Sequence, residues 1–170
     1  MNTKLHTAIF LDRDGVLNKK APPHDYIKSF SEFKWNAGAV DLIKKIRERN
    51  FLPVVISNQR GIARGMMTQE FVESLHERMN EELKSQGTSI EAFYVCPHME
   101  GCDCRKPKPG MLFRAAHDPG VELSQSVMVG DSISDEQAAM NAGCKGTILV
   151  TSDMVDVGYI MDRIDTLIRS

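Results

Sequence analysis

Two aspartates two residues apart close the stretch Ile9 to Gly15, IFLDRDG, directly after an apolar run. In an extended chain the side-chain period of two turns Asp12 and Asp14 to the same side. Anions that close repel, so the pair is stable mainly with a cation beside it, and hard carboxylate oxygens favour Mg²⁺. The competing reading is a D-G turn carrying a solvated aspartate. Further on, FLPVVI runs into Ser57-Asn58-Gln59-Arg60-Gly61. A hydroxyl and amide donors at a strand end could hold phosphate oxygens, although the same residues also make a simple polar turn. Arg105-Lys106-Pro107 adds a fork of donors and a point charge, types that recognise phosphate or else form a solvated surface. The segment VMVGDSISD ends an apolar run in Gly130-Asp131, with Asp135 one helical turn further on. Asp131 is spaced as another metal ligand; alternatively Asp131 or Ser134 caps the helix that follows.

A fifth cluster is of a different chemical kind. Cys96, His98, Cys102 and Cys104 fall within CPHMEGCDC and offer three thiolates and an imidazole, the Cys₃His set of a closed tetrahedral zinc site. Singly they would read as buried free cysteines or a surface histidine; grouped, they read as structural zinc rather than a disulfide framework. A loop this short buries little core of its own, so zinc would supply the energy that fixes it and would orient the adjoining Arg105-Lys106. Cys144, alone in AGCKG, reads as a small core residue. His6, His24, His76 and His117 lack ligand partners at recognisable spacing and read as surface or satisfied core residues.

These clusters need elements to position them. Apolar runs at Thr7 to Leu11, Phe51 to Ile56, Ala92 to Val95, Val127 to Val129 and Thr147 to Val150 have the length and composition of buried parallel strands. Helix-period segments lie between them at Ala39 to Arg49, Thr68 to Ser85, Gly110 to His117 and Ser134 to Ala142, with starts at Thr68 and Ser134 and a stop at Gly143. The tail from Val157 to Ser170 divides between a last edge strand (YIMDRI) and a half-turn or short helix (IDTLIRS). This order predicts an α/β fold of three layers with a doubly wound parallel sheet. Right-handed crossovers would put helices on both faces, and the loops leaving the strands' C-terminal ends would line one crevice. The 170 residues, 42% hydrophobic and 26% charged, are expected to form a single domain, 1–170. A net charge of -2 supplies no basic field for nucleic acid. No run approaches the roughly 20 apolar residues of a membrane helix. The N-terminus enters its first strand without a signal-peptide stretch, which makes the cytoplasm the expected location.

Taken in order, DRDG at 12–15, SNQRG at 57–61, RKPKPG at 105–110 and GDSISD at 130–135 resemble the four motifs of the haloacid dehalogenase-like phosphatases. Within them, FLDRDGVLN, SNQRGIARG, CPH followed by CDCRKPKPGML, and MVGD look like the histidinol-phosphatase and D-glycero-D-manno-heptose 1,7-bisphosphate phosphatase family, over about residues 7–150. The resemblance implies a Rossmann-like haloacid dehalogenase fold and a phosphoric monoester hydrolase. Asp12 would attack phosphorus to give an aspartyl phosphate, and Asp14 would act first as acid and then as base. Mg²⁺ would be held by Asp12, by Asp14 through its backbone carbonyl, and by Asp131, with Asp135 supporting the metal from behind. Ser57 and Lys106 would stabilise transition-state charge, while Asn58, Gln59, Arg60 and Arg105 would touch substrate. The implied partner is a small phosphorylated metabolite, a sugar phosphate such as the heptose bisphosphate. Histidinol phosphate is the alternative, and a catalytically silent zinc-bearing binding module the remote one. GIARG and CRKPKPGML favour the heptose compound, whereas the three residues between His98 and Cys102 lean to the histidinol-phosphate type. Ser132 stands where the heptose enzymes typically carry lysine. No segment between the motifs is long enough for a large cap domain, so the crevice is expected to be open. The insert Asn18 to Tyr26 would overhang it, with Lys19, Lys20, His24 or Tyr26 meeting the substrate's distal end.

Overall fold

The apolar runs form five strands: β1 (Ala8–Leu11), β2 (Leu52–Asn58), β3 (Ala92–Cys96), β4 (Val127–Gly130) and β5 (Gly146–Leu149). They pair in parallel as one sheet in the order β3-β2-β1-β4-β5, in a computed structural model that describes residues 5–151 and 154–170. Five helices accompany them: α1 (Ala39–Glu48), α2 (Gln69–Ser85), α3 (Gly110–His117), α4 (Ile133–Ala142) and α5 (Val157–Arg169). Strand alternation sorts the apolar side chains into two cores. On one face Ile9, Leu11, Val55, Val127 and Val129 pack with Leu42 and Ile46 of α1, Leu75 and Met79 of α2, and Ile160 and Ile164 of α5. On the other, Ala8, Phe10, Val54, Ile56 and Met128 pack with Met111 and Leu112 of α3 and Ala138 and Ala139 of α4. Each large side chain fully buried in this way contributes roughly 1.5–3 kcal/mol, before the entropy of ordering the chain is counted.

Local chemistry sets the element ends, and the main departures from the sequence reading are at α4, β2 and the tail. Thr68 caps α2, its Oγ1 accepting from the Phe71 N–H at 3.1 Å. The cap of α4 is Ser132, not Ser134, because the Asp135 carboxylate accepts both the Ser132 backbone N–H (3.2 Å) and the Ser132 hydroxyl (2.9 Å). β2 runs two residues further than expected, so that Ser57 and Asn58 are strand residues paired with Val95 and Cys96. The tail is one helix: the helix expected as one possibility for IDTLIRS is present but starts at Val157, so YIMDRI is helical rather than an edge strand, and Asp156 caps it, its Oδ1 accepting from the Tyr159 N–H at 3.0 Å. Its buried residues Ile160, Met161 and Ile164 follow the helical period, which overrides the alternation glimpsed in YIMDRI.

The connectivity decides where a site can form. The chain steps outward from β1 to β2 and β3, then returns to the other side of β1 for β4 and β5, so the strand order reverses between β1 and β4. Loops leaving the C-terminal ends of strands on either side of such a switch diverge and leave a crevice. Here those loops begin with Asp12 and Asp131, and the Asp12 N–H donates to the Val129 carbonyl at 3.0 Å. Among the described residues no inserted segment of cap size covers this end of the sheet. No described helix is long and apolar enough to cross a membrane.

Candidate active site

Asp12 follows β1, Asp131 follows β4, and Asp135 sits in the first turn of α4; one carboxylate oxygen from each lies within 4.8 Å of the others. Lys106 joins them from the loop after β3. Its Nζ is 3.0 Å from Asp12 Oδ1 and 2.6 Å from Asp135 Oδ1, and it donates to the Ile56 carbonyl at 3.0 Å. Burial alone would lower the Lys106 pKa, but Asp12 and Asp135 hold it above the ordinary value. For Asp12, burial raises the carboxyl, Lys106 pulls it back, and Asp135, Asp14 and Asp131 push it up again, leaving it at about 7. With Lys106 on Asp12 and Asp135 and Lys20 on Asp131, three carboxylates face two lysines and remain short of positive charge. A compact donor set made only of oxygens fits a small, hard divalent cation. Asp135 is the most committed of the three, since its Oδ2 also accepts the backbone N–H groups of Asp131 (3.0 Å) and Ser132 (3.2 Å). It braces the turn that carries Asp131.

The Asp14 carboxylate stands outside this cluster. Arg13 Nη2 donates to both of its oxygens (3.0 and 3.2 Å), Asn18 Nδ2 to Oδ1 (2.9 Å) and Gln59 Nε2 to Oδ2 (2.7 Å). Burial works to raise its pKa, but the Arg13 guanidinium and the hydrogen bonds from Asn18, Arg13 and Gln59 outweigh it and hold the group below the usual carboxylate range. So held, Asp14 is ionised and able to accept a proton; to donate one it must first be protonated and released from these donors. Arg13 is itself almost wholly buried and is anchored by His76 Nε2 at 3.2 Å. The His76 ring stacks on Phe93 at 4.4 Å. Burial, with help from the Arg13 charge, drives His76 down to about 3 and keeps it a neutral acceptor.

Other candidates divide by what they touch. Ser57 Oγ accepts from Gln59 Nε2 at 2.8 Å, which leaves the hydroxyl proton uncommitted. Gln59 has no exposed surface and reaches a ligand only through Asp14 and Ser57. Asn58 holds Lys106 by its backbone at both amide ends, donating to the Lys106 carbonyl (3.2 Å) and accepting from its N–H (3.0 Å). Arg60 Nε and Arg105 Nη1 are buried without a hydrogen-bond partner among the described residues, donors that an anion could engage. Arg13, Asn18 and His76 escaped the sequence reading as site residues. Arg13 is the unconstrained position of D-x-D-G, and His76 is one histidine on a helix, so neither residue type nor spacing marks them.

Beside this crevice, Cys96, His98, Cys102 and Cys104 converge. Cys96 Sγ lies 3.6 Å from His98 Nδ1, 3.6 Å from Cys102 Sγ and 3.0 Å from Cys104 Sγ, and His98 Nδ1 lies 3.3 Å from Cys104 Sγ. Ligand arms of roughly 2.0–2.3 Å in a tetrahedron give edges of roughly 3.3–3.8 Å, so these soft donors fit a zinc-sized ion with little movement. Cys144 is elsewhere, packed against the second core, where burial pushes its thiol up to about 12. On the far side of the crevice, Asp14, Lys20, His24, Tyr26 and Asn58 line a cleft of about 270 Å³. The insert is seated firmly there: a Cβ at Gly61 would lie 2.8 and 2.9 Å from Tyr26 ring atoms.

The HAD-hydrolase-like family model matches residues 103–164. The D-glycero-beta-D-manno-heptose-1,7-bisphosphate 7-phosphatase of Yersinia pestis is 40% identical over 84% of this chain and 79% of its own length. The D-glycero-alpha-D-manno-heptose-1,7-bisphosphate 7-phosphatase of Campylobacter jejuni is 39% identical over 90% of this chain and 86% of its own. Among solved structures, the D,D-heptose 1,7-bisphosphate phosphatase of B. bronchiseptica, complexed with magnesium and phosphate, superposes with a TM-score of 0.81 at 30% identity, covering 92% of this chain and 99% of that one.

Proposed function

Because the chain belongs to the HAD-like phosphatase family that contains these heptose-bisphosphate enzymes, we propose that it is a Mg²⁺-dependent D-glycero-D-manno-heptose 1,7-bisphosphate 7-phosphatase. The observation that carries the reading is the convergence of Asp12, Asp131, Asp135 and Lys106 where the strand order reverses. Asp12 attacks phosphorus in line and the sugar alkoxide leaves, giving an aspartyl phosphate that water then hydrolyses. Asp12, Asp131 and the Asp14 carbonyl hold Mg²⁺, which supplies charge neutralisation for the phosphoryl oxygens. Lys106 and the Ser57 hydroxyl add donors to those oxygens. Asp14 protonates the leaving oxygen and later takes a proton from water. Its ionised state, held by Arg13, Asn18 and Gln59, suits the second of these tasks, and the first requires a protonated Asp14 free of them. Arg60 and Arg105, with their unpartnered buried donors, bind substrate oxygens, and Lys20, His24 and Tyr26 line the cleft for its distal end. Zinc held by Cys96, His98, Cys102 and Cys104 fixes the loop from which Arg105 and Lys106 extend.

The test is phosphate release from heptose 1,7-bisphosphate, hexose bisphosphates and histidinol phosphate by zinc-loaded protein, with and without Mg²⁺. Preferential, Mg²⁺-dependent cleavage of the heptose compound is expected. Preference for histidinol phosphate would replace the substrate but keep the mechanism, and no cleavage of any compound would overturn both. The Yersinia pestis relative is named for the beta anomer and the Campylobacter jejuni relative for the alpha, so the heptose is assayed as each.

A further inference from the structure

Lys20 lies in the insert after the first motif and reaches back to the acidic cluster, where its Nζ pairs with Asp131 Oδ2. Lys106 serves the other two carboxylates, so among the described residues Lys20 is the cation paired with Asp131. The approach depends on Gly15. At φ +89° it leaves no side chain where Asp131 Oδ2 and Lys20 Cε converge, and a Cβ there would be 2.6 Å from Lys20 Cε. Lys20 also lines the cleft with Asp14, His24, Tyr26 and Asn58, so it stands on the boundary between the carboxylates and the space for substrate. More than half of its side chain is exposed, against 12% for Asp131, which leaves the lysine free to swing while the aspartate stays fixed.

We propose that Lys20 is a tethered cation that competes with the divalent metal for Asp131 and, once displaced, turns its ammonium into the cleft toward the substrate's distal anionic group. This rests on the reading of Asp131 as a metal ligand. An ammonium and a metal ion on the same carboxylate repel each other, so the binding of one weakens the binding of the other. Metal binding therefore releases Lys20, and a bound anion that engages the released ammonium strengthens metal binding in return, since coupling between two ligands is reciprocal.

The test titrates Mn²⁺, followed by loss of the free-ion electron paramagnetic resonance signal, into zinc-loaded wild type, Lys20→Met, Lys20→Arg and Asp131→Asn. Lys20→Met keeps the stem and removes the competitor, so Mn²⁺ should bind about fivefold tighter, the upper range for an ion pair with an exposed partner. Lys20→Arg should stay near wild type and Asp131→Asn should bind far more weakly. Saturating inorganic phosphate should tighten Mn²⁺ binding more in wild type than in Lys20→Met. Equal affinity in wild type and Lys20→Met, with Asp131→Asn weakened, overturns the competition while leaving the metal site intact. Unchanged affinity in Asp131→Asn overturns the metal assignment itself, and the competition with it.

Discussion

The pairing of Arg13 with a buried, neutral His76 predicts a pH dependence of stability that one substitution isolates. In the unfolded chain His76 titrates near 6.5, and in the fold at about 3. Between these values the unfolded chain binds more protons, so stability is intact above pH 6.5 and declines as pH falls through the window. Each unit below 6.5 costs about 1.4 kcal/mol, so His76 should remove about 2 kcal/mol at pH 5 relative to pH 7.5. The wild-type profile alone would conceal this. Asp12, raised from 3.8 to about 7, binds its proton more tightly in the fold and so favours folding as pH falls through the same range. His76→Gln keeps an acceptor for Arg13 and removes only the titration. Urea unfolding of wild type and His76→Gln at pH 7.5 and pH 5, both zinc-loaded, cancels the contributions of Asp12 and of the cysteine cluster. The wild type should lose about 2 kcal/mol more than the variant over that interval. If the two proteins lose stability in parallel, His76 is not held neutral by burial, and the account of how Arg13 and Asp14 are fixed fails with it.

Asp12→Asn should fold as wild type does, by circular dichroism and thermal melting, while phosphate release falls below about one thousandth of the wild-type rate; turnover near wild type would remove Asp12 as nucleophile. Stripping metal from the Cys96, His98, Cys102 and Cys104 cluster should lower the melting temperature and raise KM, and zinc-free protein with unchanged melting and KM would show that the loop holds itself. Gly61→Ala drives a methyl into the Tyr26 ring, a clash expected to cost about 1–3 kcal/mol and to raise KM several-fold with a smaller effect on kcat. Melting and KM both unchanged would mean that the insert does not shape the binding site.

The sequence disclosed most where the chemistry is carried by residue type. That Asp12 and Asp131 would meet, and that the Cys₃His set would converge, was legible because carboxylates ending buried parallel strands share one crevice and soft ligands within nine residues share one loop. The buried strands were legible from apolar runs that need only local composition. What stayed hidden depends on contacts between distant segments. The span of 63 residues between Arg13 and His76 and of 45 between Asp14 and Gln59 left no local trace of their hydrogen bonds. Ser132 shows the same limit at short range. It departs from the lysine expected after GD, and only the position of Asp135 reveals it as the cap that braces the Asp131 turn. The C-terminal helix was misread because YIMDRI satisfies a period of two over a few residues, and the contact of Ile160 and Ile164 with the sheet core decides against it.

Charge in the crevice links these details to function. Asp12, Asp14, Asp131 and Asp135 face Arg13, Lys106 and Lys20, so the crevice carries an excess of negative charge before any ligand arrives. A phosphate dianion entering such a site meets repulsion at short range, where salt screens least. A divalent cation on Asp12 and Asp131 reverses the local sign. On the proposed competition it would also free the Lys20 ammonium, so one binding event would add two cationic groups to the region the phosphates must occupy. Electrostatics then fixes the order of addition: affinity for a tetrahedral dianion without divalent metal should be weak and should fall further as Asp12 ionises through about pH 7. With saturating metal that pH dependence should disappear, because the cation holds Asp12 ionised throughout. Calorimetric binding of sulfate, a tetrahedral dianion at every pH from 6 to 8, with and without Mg²⁺, separates the cases. Equal affinity and equal pH dependence in both would mean that the cation does not sit on Asp12.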